Sequence, residues 1–68
     1  MLKTEIRTLR LAKGMDQAEL AALVGVRRET IGRLEKGQYN PSLKLAMDIA
    51  QVFGTTVEDI FTFTDEAE

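Results

Sequence analysis

The sequence predicts an all-α fold of five short helices closed by a short terminal β-strand, and three observations predict it. Apolar residues recur three and four positions apart through most of the chain, the spacing of a helix with one buried face. Thr4, Asp16, Ser42 and Thr56 stand just ahead of such segments, where a side-chain oxygen satisfies the free backbone N–H groups of a helix start. Gly14, Gly25, Gly37 and Gly54 stand just after them, where helices end. Start, body and stop signals therefore agree along the chain, as they do in a sequence that specifies one fold.

Thr4 is expected to cap a first helix running to about Lys13, with Glu5 in its first turn and Leu2, Ile6 and Leu9 on its buried stripe. Asp16 opens the second helix with Glu19 three residues on, a capping box in which each side chain accepts from the other residue's backbone N–H. Leu20, Ala21 and Val24 face the core, Leu23 faces away, and Val26 packs under a turn centred on Gly25. The third helix is expected from Arg28 to Lys36, with Arg27 at a cap position where Ser or Thr would serve better. Pro41 holds Asn40 extended, so the preceding residues form a loop. Ser42 caps a fourth helix, residues 43–53, with Leu43, Leu45, Ala46, Ile49, Ala50 and Phe53 pointing inward. Thr56 caps a fifth, from Val57 to about Phe61, whose Val57, Ile60 and Phe61 close the core. The stretch Phe61-Thr62-Phe63-Thr64 alternates as a strand does and is expected to pair with residues 1–4 or with a second copy of itself. Residues 65–68 are expected to fray.

A chain of 68 residues makes one domain, 1–68, and a core this small usually needs a disulfide, a metal or a second subunit. The absence of Cys and His removes disulfides and the commonest metal ligands, leaving helix packing or dimerisation, and no cofactor is implied. It also disfavours an enzyme, since a Ser or Thr nucleophile would need a base from Lys, Asp or Glu and no constellation offers one. No apolar run nears the ~20 residues of a membrane span and no signal-peptide core is present, so a soluble cytoplasmic protein is expected.

The net charge of −2 argues, taken alone, against nucleic acid. Its distribution reverses that argument. Residues 1–44 carry all nine Lys and Arg against five acids, a net of +4, while residues 45–68 carry six acids and no base, a net of −6. A chain divided this way can present a basic face despite an acidic average. The plainer reading is a helical protein with an acidic solubilising tail.

Within residues 17–36, Ala21, Gly25, Ile31 and Leu34 have the spacing that holds the two helices of a helix-turn-helix nearly perpendicular. The second of them is apolar on one face and cationic on the other, a form that suits the major groove of DNA. Arg28 and Arg33 can read guanine O6 and N7 bidentately, and the Thr30 methyl can meet a thymine methyl. Glu29 can accept from cytosine N4 or simply hold an arginine in place. Mid-helix Gly32 costs about 0.8–1.0 kcal/mol relative to Ala. It leaves room for Arg28 or for the DNA backbone, or reflects neutral drift.

The stretches LRLAKG (9–14), DQAELA (16–21), VGVRRETIGRLEKG (24–37) and YNPSLKLAMDIAQVFG (39–54) cover nearly the whole chain in order. They resemble the Xre family of phage lambda/434 repressor-like helix-turn-helix proteins, in particular its small stand-alone members of the cytolysin-repressor type. The resemblance implies a five-helix domain that binds operator DNA as a homodimer, usually to repress transcription. It implies that Arg28, Glu29 and Arg33 reach base edges, and that Gln17 touches a phosphate while bracing the recognition helix. It further implies a salt bridge between Arg10 and Glu35 that ties the first helix to the third. Arg27 departs from the family's Ser or Thr. The lost cap weakens the helix start by roughly 1 kcal/mol, which a phosphate-facing arginine would offset in the complex. Lys36, Gln38, Asn40 and Lys44 are expected to flank the next phosphates as a clamp.

The dimer contact is expected in residues 55–68, at Ile60, Phe61 and Phe63, with the acidic tail beyond. No membrane and no small-molecule ligand is implied. Two other readings stand beside this one. The chain could be the antitoxin of a toxin–antitoxin pair, or a protein-interaction adaptor that keeps the fold without binding an operator. The recognition-helix arginines and the basic N-terminal half disfavour the adaptor.

Overall fold

Local capping chemistry decides where most of the elements begin. In the computed structural model, which describes residues 1–64, they are β1 (Leu2–Thr4), α1 (Ile6–Ala12), α2 (Gln17–Val24), α3 (Arg28–Glu35), α4 (Leu43–Phe53), α5 (Val57–Ile60) and β2 (Phe61–Phe63). The capping box is complete: the Glu19 N–H donates to Asp16 Oδ1 and the Asp16 N–H to Glu19 Oε1, each at 2.8 Å. Ser42 Oγ accepts from the Leu45 N–H at 3.1 Å, and Thr56 Oγ1 from the Asp59 N–H at 3.2 Å. Arg27 precedes α3 without a side-chain cap, as the sequence leads one to expect.

Every helix contributes to one core. Ile6 of α1, Leu20 of α2, Ile31 and Leu34 of α3, Ile49 of α4 and Ile60 of α5 are all fully enclosed. Leu9, Met15, Val24, Val26, Val52, Phe53, Val57 and Phe61 pack around them, half-buried.

The terminal segments pair. β1 and β2 form an antiparallel two-stranded sheet with Leu2 opposite Phe63, Lys3 opposite Thr62 and Thr4 opposite Phe61. The Thr64 N–H donates to the Met1 carbonyl, and the Met1 amino group to the Thr64 carbonyl, both at 2.8 Å. Of the two pairings left open by the sequence, the structure shows the one within the chain. Gly37 makes room for it. At φ +72° it ends the turn after α3 in the left-handed region, and a Cβ there would collide with the Leu2 carbonyl oxygen. Glycine is needed twice over, for its conformation and for the passage of β1 across the end of α3.

Four expectations change. Thr4 does not cap α1: it lies in β1, its hydroxyl is buried with no hydrogen-bond partner among the described residues, and Glu5 takes the cap position without a side-chain bond. Leu2 is buried as predicted, but from the strand rather than from the helix stripe. Leu43 points out, at 73 % exposed, because it lies at the edge of the α4 stripe that Leu45, Ala46, Ile49 and Ala50 bury. Phe61 belongs to β2 rather than to the fifth helix. The expectation that residues 65–68 fray falls outside the described residues.

Candidate nucleic-acid interface

Burial of Ile31 and Leu34 fixes the rotation of α3 and leaves positions 28, 29, 32, 33 and 36 on its outer face. The turn before it is set by Gly25, at φ +74°, whose N–H donates to the Ala21 carbonyl as the cap of α2. The Val26 N–H then reaches the same carbonyl at 3.0 Å, and Val26 packs into the core. This places the start of α2 alongside the outer face of α3. Gln17, Arg28, Glu29, Gly32, Arg33, Lys36 and Gln38 together line an open concavity of about 380 Å³. Arg28, Arg33 and Lys36 outnumber the single carboxylate of Glu29, so the concavity carries net positive charge.

Beneath it lies a polar cluster that joins three helices. Arg10, only 7 % exposed, donates from Nε to Glu35 Oε2 at 2.7 Å and from Nη2 to Glu35 Oε1 at 3.3 Å. Its Nη1 donates to the Met15 carbonyl at 2.9 Å, in the link between α1 and α2. The hydrogen bond to Glu35 raises the Arg10 pKa above its ordinary value, against the opposing effect of burial. Gln17 Nε2 supplies a further donor to Glu35 Oε1, at 3.0 Å. Gln17 thus braces α3 as the resemblance implies, but its partner, Glu35, is not foreshadowed, because it lies eighteen positions away in no shared local motif. The bare Cα of Gly32 lies beside the Gln17 amide. A Cβ there would sit 3.8 Å from Nε2 and 3.9 Å from Oε1, ordinary van der Waals distances.

Other residues singled out in the sequence lie elsewhere. Arg27 is exposed just before α3, and Thr30 is half-buried on its flank. Lys44 pairs with Asp48 at 2.7 Å on the outer side of α4 and lines clefts beside the Gly25 turn. Asn40 lines a separate, mostly apolar groove of about 280 Å³, with Leu2, Pro41, Ser42, Leu43, Ala46, Val57, Phe61 and Phe63. Of the residues expected at a dimer contact, Ile60 is 1 % exposed and its side chain fills the protomer's own core, so it is not available at the surface. Phe61 is half-buried, whereas Phe63 is 71 % exposed at the rim of the apolar groove. Leu43, expected in the core, adds to that rim.

The family profile described as helix-turn-helix matches residues 6–60, from the first residue of α1 to the last of α5. The chain belongs to the helix-turn-helix family. This helix-turn-helix protein is 60 % identical over 65 residues to an uncharacterised HTH-type transcriptional regulator of Archaeoglobus fulgidus, covering 96 % of this chain and 93 % of that one. Among solved structures it is similar to the restriction-modification controller protein C.AhdI from Aeromonas hydrophila, at 37 % identity and TM-score 0.72 over 79 % of this chain and 82 % of that one. It is also similar to part of the hydroxypropylphosphonic acid epoxidase from S. wedmorenis, at 33 % identity and TM-score 0.72 over 79 % of this chain but 29 % of the epoxidase. A helix-turn-helix unit thus occurs within an enzyme as well, so the case for DNA rests on the side chains that this chain presents. No helix among the described residues is long and apolar enough to cross a membrane.

Proposed function

We propose that this protein is a cytoplasmic transcriptional regulator that binds a pseudo-palindromic operator as a homodimer and represses transcription by occupying it. The observation that carries the reading is the cationic concavity, where Gln17 at the start of α2 meets the outer face of α3. A helix of α3's dimensions fits the major groove, and its exposed residues then face base edges. Arg28, Glu29 and Arg33 read the sequence from that face, each good bidentate contact discriminating by about 1–3 kcal/mol. The methyl of Thr30, on the flank, meets a thymine methyl. Gln17, Arg27, Lys36 and Gln38 hold phosphates along the edge of α3, with Asn40 and Lys44 reaching those farther out. The regulator names of the relatives and the controller-protein likeness support this reading. In the dimer the recognition helices stand about 34–36 Å apart, one turn of duplex. Phe63 and Phe61 form the seam, joined by Leu43 across the apolar groove.

Binding to duplex DNA, followed by fluorescence anisotropy across a salt titration, tests the reading. Affinity should fall steeply, with log K dropping ~0.9 per neutralised phosphate for each decade of salt. Arg28→Ala or Arg33→Ala should flatten the preference among operator variants and spare non-specific binding, while Gln17→Ala should weaken binding to every sequence. A complete lack of binding to random duplex at low salt would overturn the DNA reading. Sedimentation of the parent chain beside Phe63→Ser tests the seam: a dimer that survives the substitution unchanged removes Phe63 from it.

A further inference from the structure

We propose that Glu35 is a positioning residue for DNA binding, one that fixes the Gln17 amide in its working orientation before DNA arrives. The proposal rests on the reading of Gln17 as a phosphate contact and assigns to Glu35 a task beyond the tie between α1 and α3.

Two donors share one oxygen of Glu35. Gln17 Nε2 lies 3.0 Å from Oε1, and Arg10 Nη2 lies 3.3 Å from the same atom, while Arg10 Nε takes Oε2 at 2.7 Å. The Glu35 side chain is only 7 % exposed, so these bonds are shielded from competing water. A carboxylate accepts and never donates. It therefore holds the NH₂ end of the Gln17 amide and repels the carbonyl end. A glutamine amide at a surface is otherwise free to present either end, because its terminal torsion is broad and roughly two-fold. Here one N–H is committed to Glu35, and the second remains for an anion on the open side. No side chain intervenes at Gly32, where the amide passes the α3 backbone.

The geometry has a consequence for affinity. A free glutamine that must be ordered on the phosphate loses about two- to tenfold in binding, the usual effect of immobilising one rotamer-rich side chain. Glu35 orders Gln17 during folding instead. Arg10, held by the Met15 carbonyl, keeps Glu35 in place from the far side, so a residue of α1 with no exposure to the concavity acts on the DNA contact through two others.

The test is a double-mutant cycle read on a short random-sequence duplex at low salt, at a temperature where circular dichroism shows each variant folded. Glu35→Gln keeps a carbonyl for Arg10 but lets the Gln17 amide turn over. Its effect on binding should be about two- to tenfold less favourable in the parent chain than in a Gln17→Ala background. Loss of the carboxylate charge favours DNA equally in both backgrounds and cancels in the cycle. Equal effects in the two backgrounds overturn the proposal and leave the phosphate contact standing. If instead Gln17→Ala has no effect on binding, the phosphate contact itself is wrong and the proposal falls with it. A second measurement needs no variant: by NMR, the side-chain amide protons of Gln17 should exchange with solvent more slowly than those of exposed Gln38 and Gln51. Equal exchange rates overturn the proposal even if Glu35→Gln fails to fold.

Discussion

Gly32→Ala should make this protein more stable, and the structure permits an estimate. Glycine inside a helix is less favourable than alanine by about 0.8–1.0 kcal/mol, since it gives up more backbone freedom on folding. That gain survives only if the new methyl fits. Gly32 has no positive φ, and the nearest atoms to a Cβ are those of the Gln17 amide, at 3.8 and 3.9 Å, where contact is attractive rather than repulsive. No steric charge is therefore set against the helical gain, and about 1 kcal/mol should appear in full. In a domain of this size that is a rise in Tm of roughly 4–8 °C, readable by far-ultraviolet circular dichroism. An unchanged or lowered Tm would refute the reasoning. The same variant then decides what the glycine is for. If DNA affinity falls while Tm rises, the bare position serves close approach of the duplex. Undiminished affinity in the more stable variant would leave Gly32 with no part in binding.

Gly37→Ala should be destabilising by more than about 1 kcal/mol, since strained backbone adds to a collision with the Leu2 carbonyl; a denaturant midpoint equal to the parent's would contradict this. Thr4→Val should be neutral or stabilising, by up to roughly 1 kcal/mol, because it removes a buried hydroxyl that lacks a partner and suits a strand better; a clear loss of stability would mean that the hydroxyl is bonded. Asp59 has its pKa lowered, first by the Thr55 hydroxyl and then by that of Thr56. A carboxylate depressed in the folded state adds stability above its unfolded pKa, and that stability disappears as pH falls through the folded value. The Tm gap between the parent chain and Thr55→Val should therefore be open at neutral pH and close as the pH drops below about 4; a gap independent of pH would refute the assignment. Glu35→Ala leaves the Arg10 guanidinium without its carboxylate and with only the Met15 carbonyl, and should cost about 1–3 kcal/mol, a substantial part of what a domain of this length possesses; chemical denaturation reads the loss directly.

The helices were legible in the sequence because their signals are local. Asp16 and Glu19, Ser42 and Leu45, Thr56 and Asp59 each lie within one turn of each other, so reading along the chain finds them. The outer face of α3 was legible for the same reason, once Ile31 and Leu34 fixed which side is buried. What was missed depends on distant partners. Thr4 reads as a cap until the strand beside it, some sixty positions away, is known. Leu43 has the spacing of its buried neighbours Ala46 and Ala50, and only the tertiary arrangement shows that the core stops short of it. Ile60 satisfied two demands on paper, core and dimer seam, and the folded protomer leaves it only the first.

The pairing of β1 with β2 also has a consequence in time. Ribosomes add about 5–20 residues each second, so Leu2, Lys3 and Thr4 emerge roughly 3–12 seconds before Phe61, Thr62 and Phe63 can meet them. Helices α1 to α4 can pack on one another once residue 53 is made, whereas β1 also needs β2, and α1 gains Ile60 only at the same late point. Until β2 is made, Leu2 is an apolar residue without its strand partner. The strand pair thus joins residues made at opposite ends of the helical segment, and it can form only after all five helices have been synthesised.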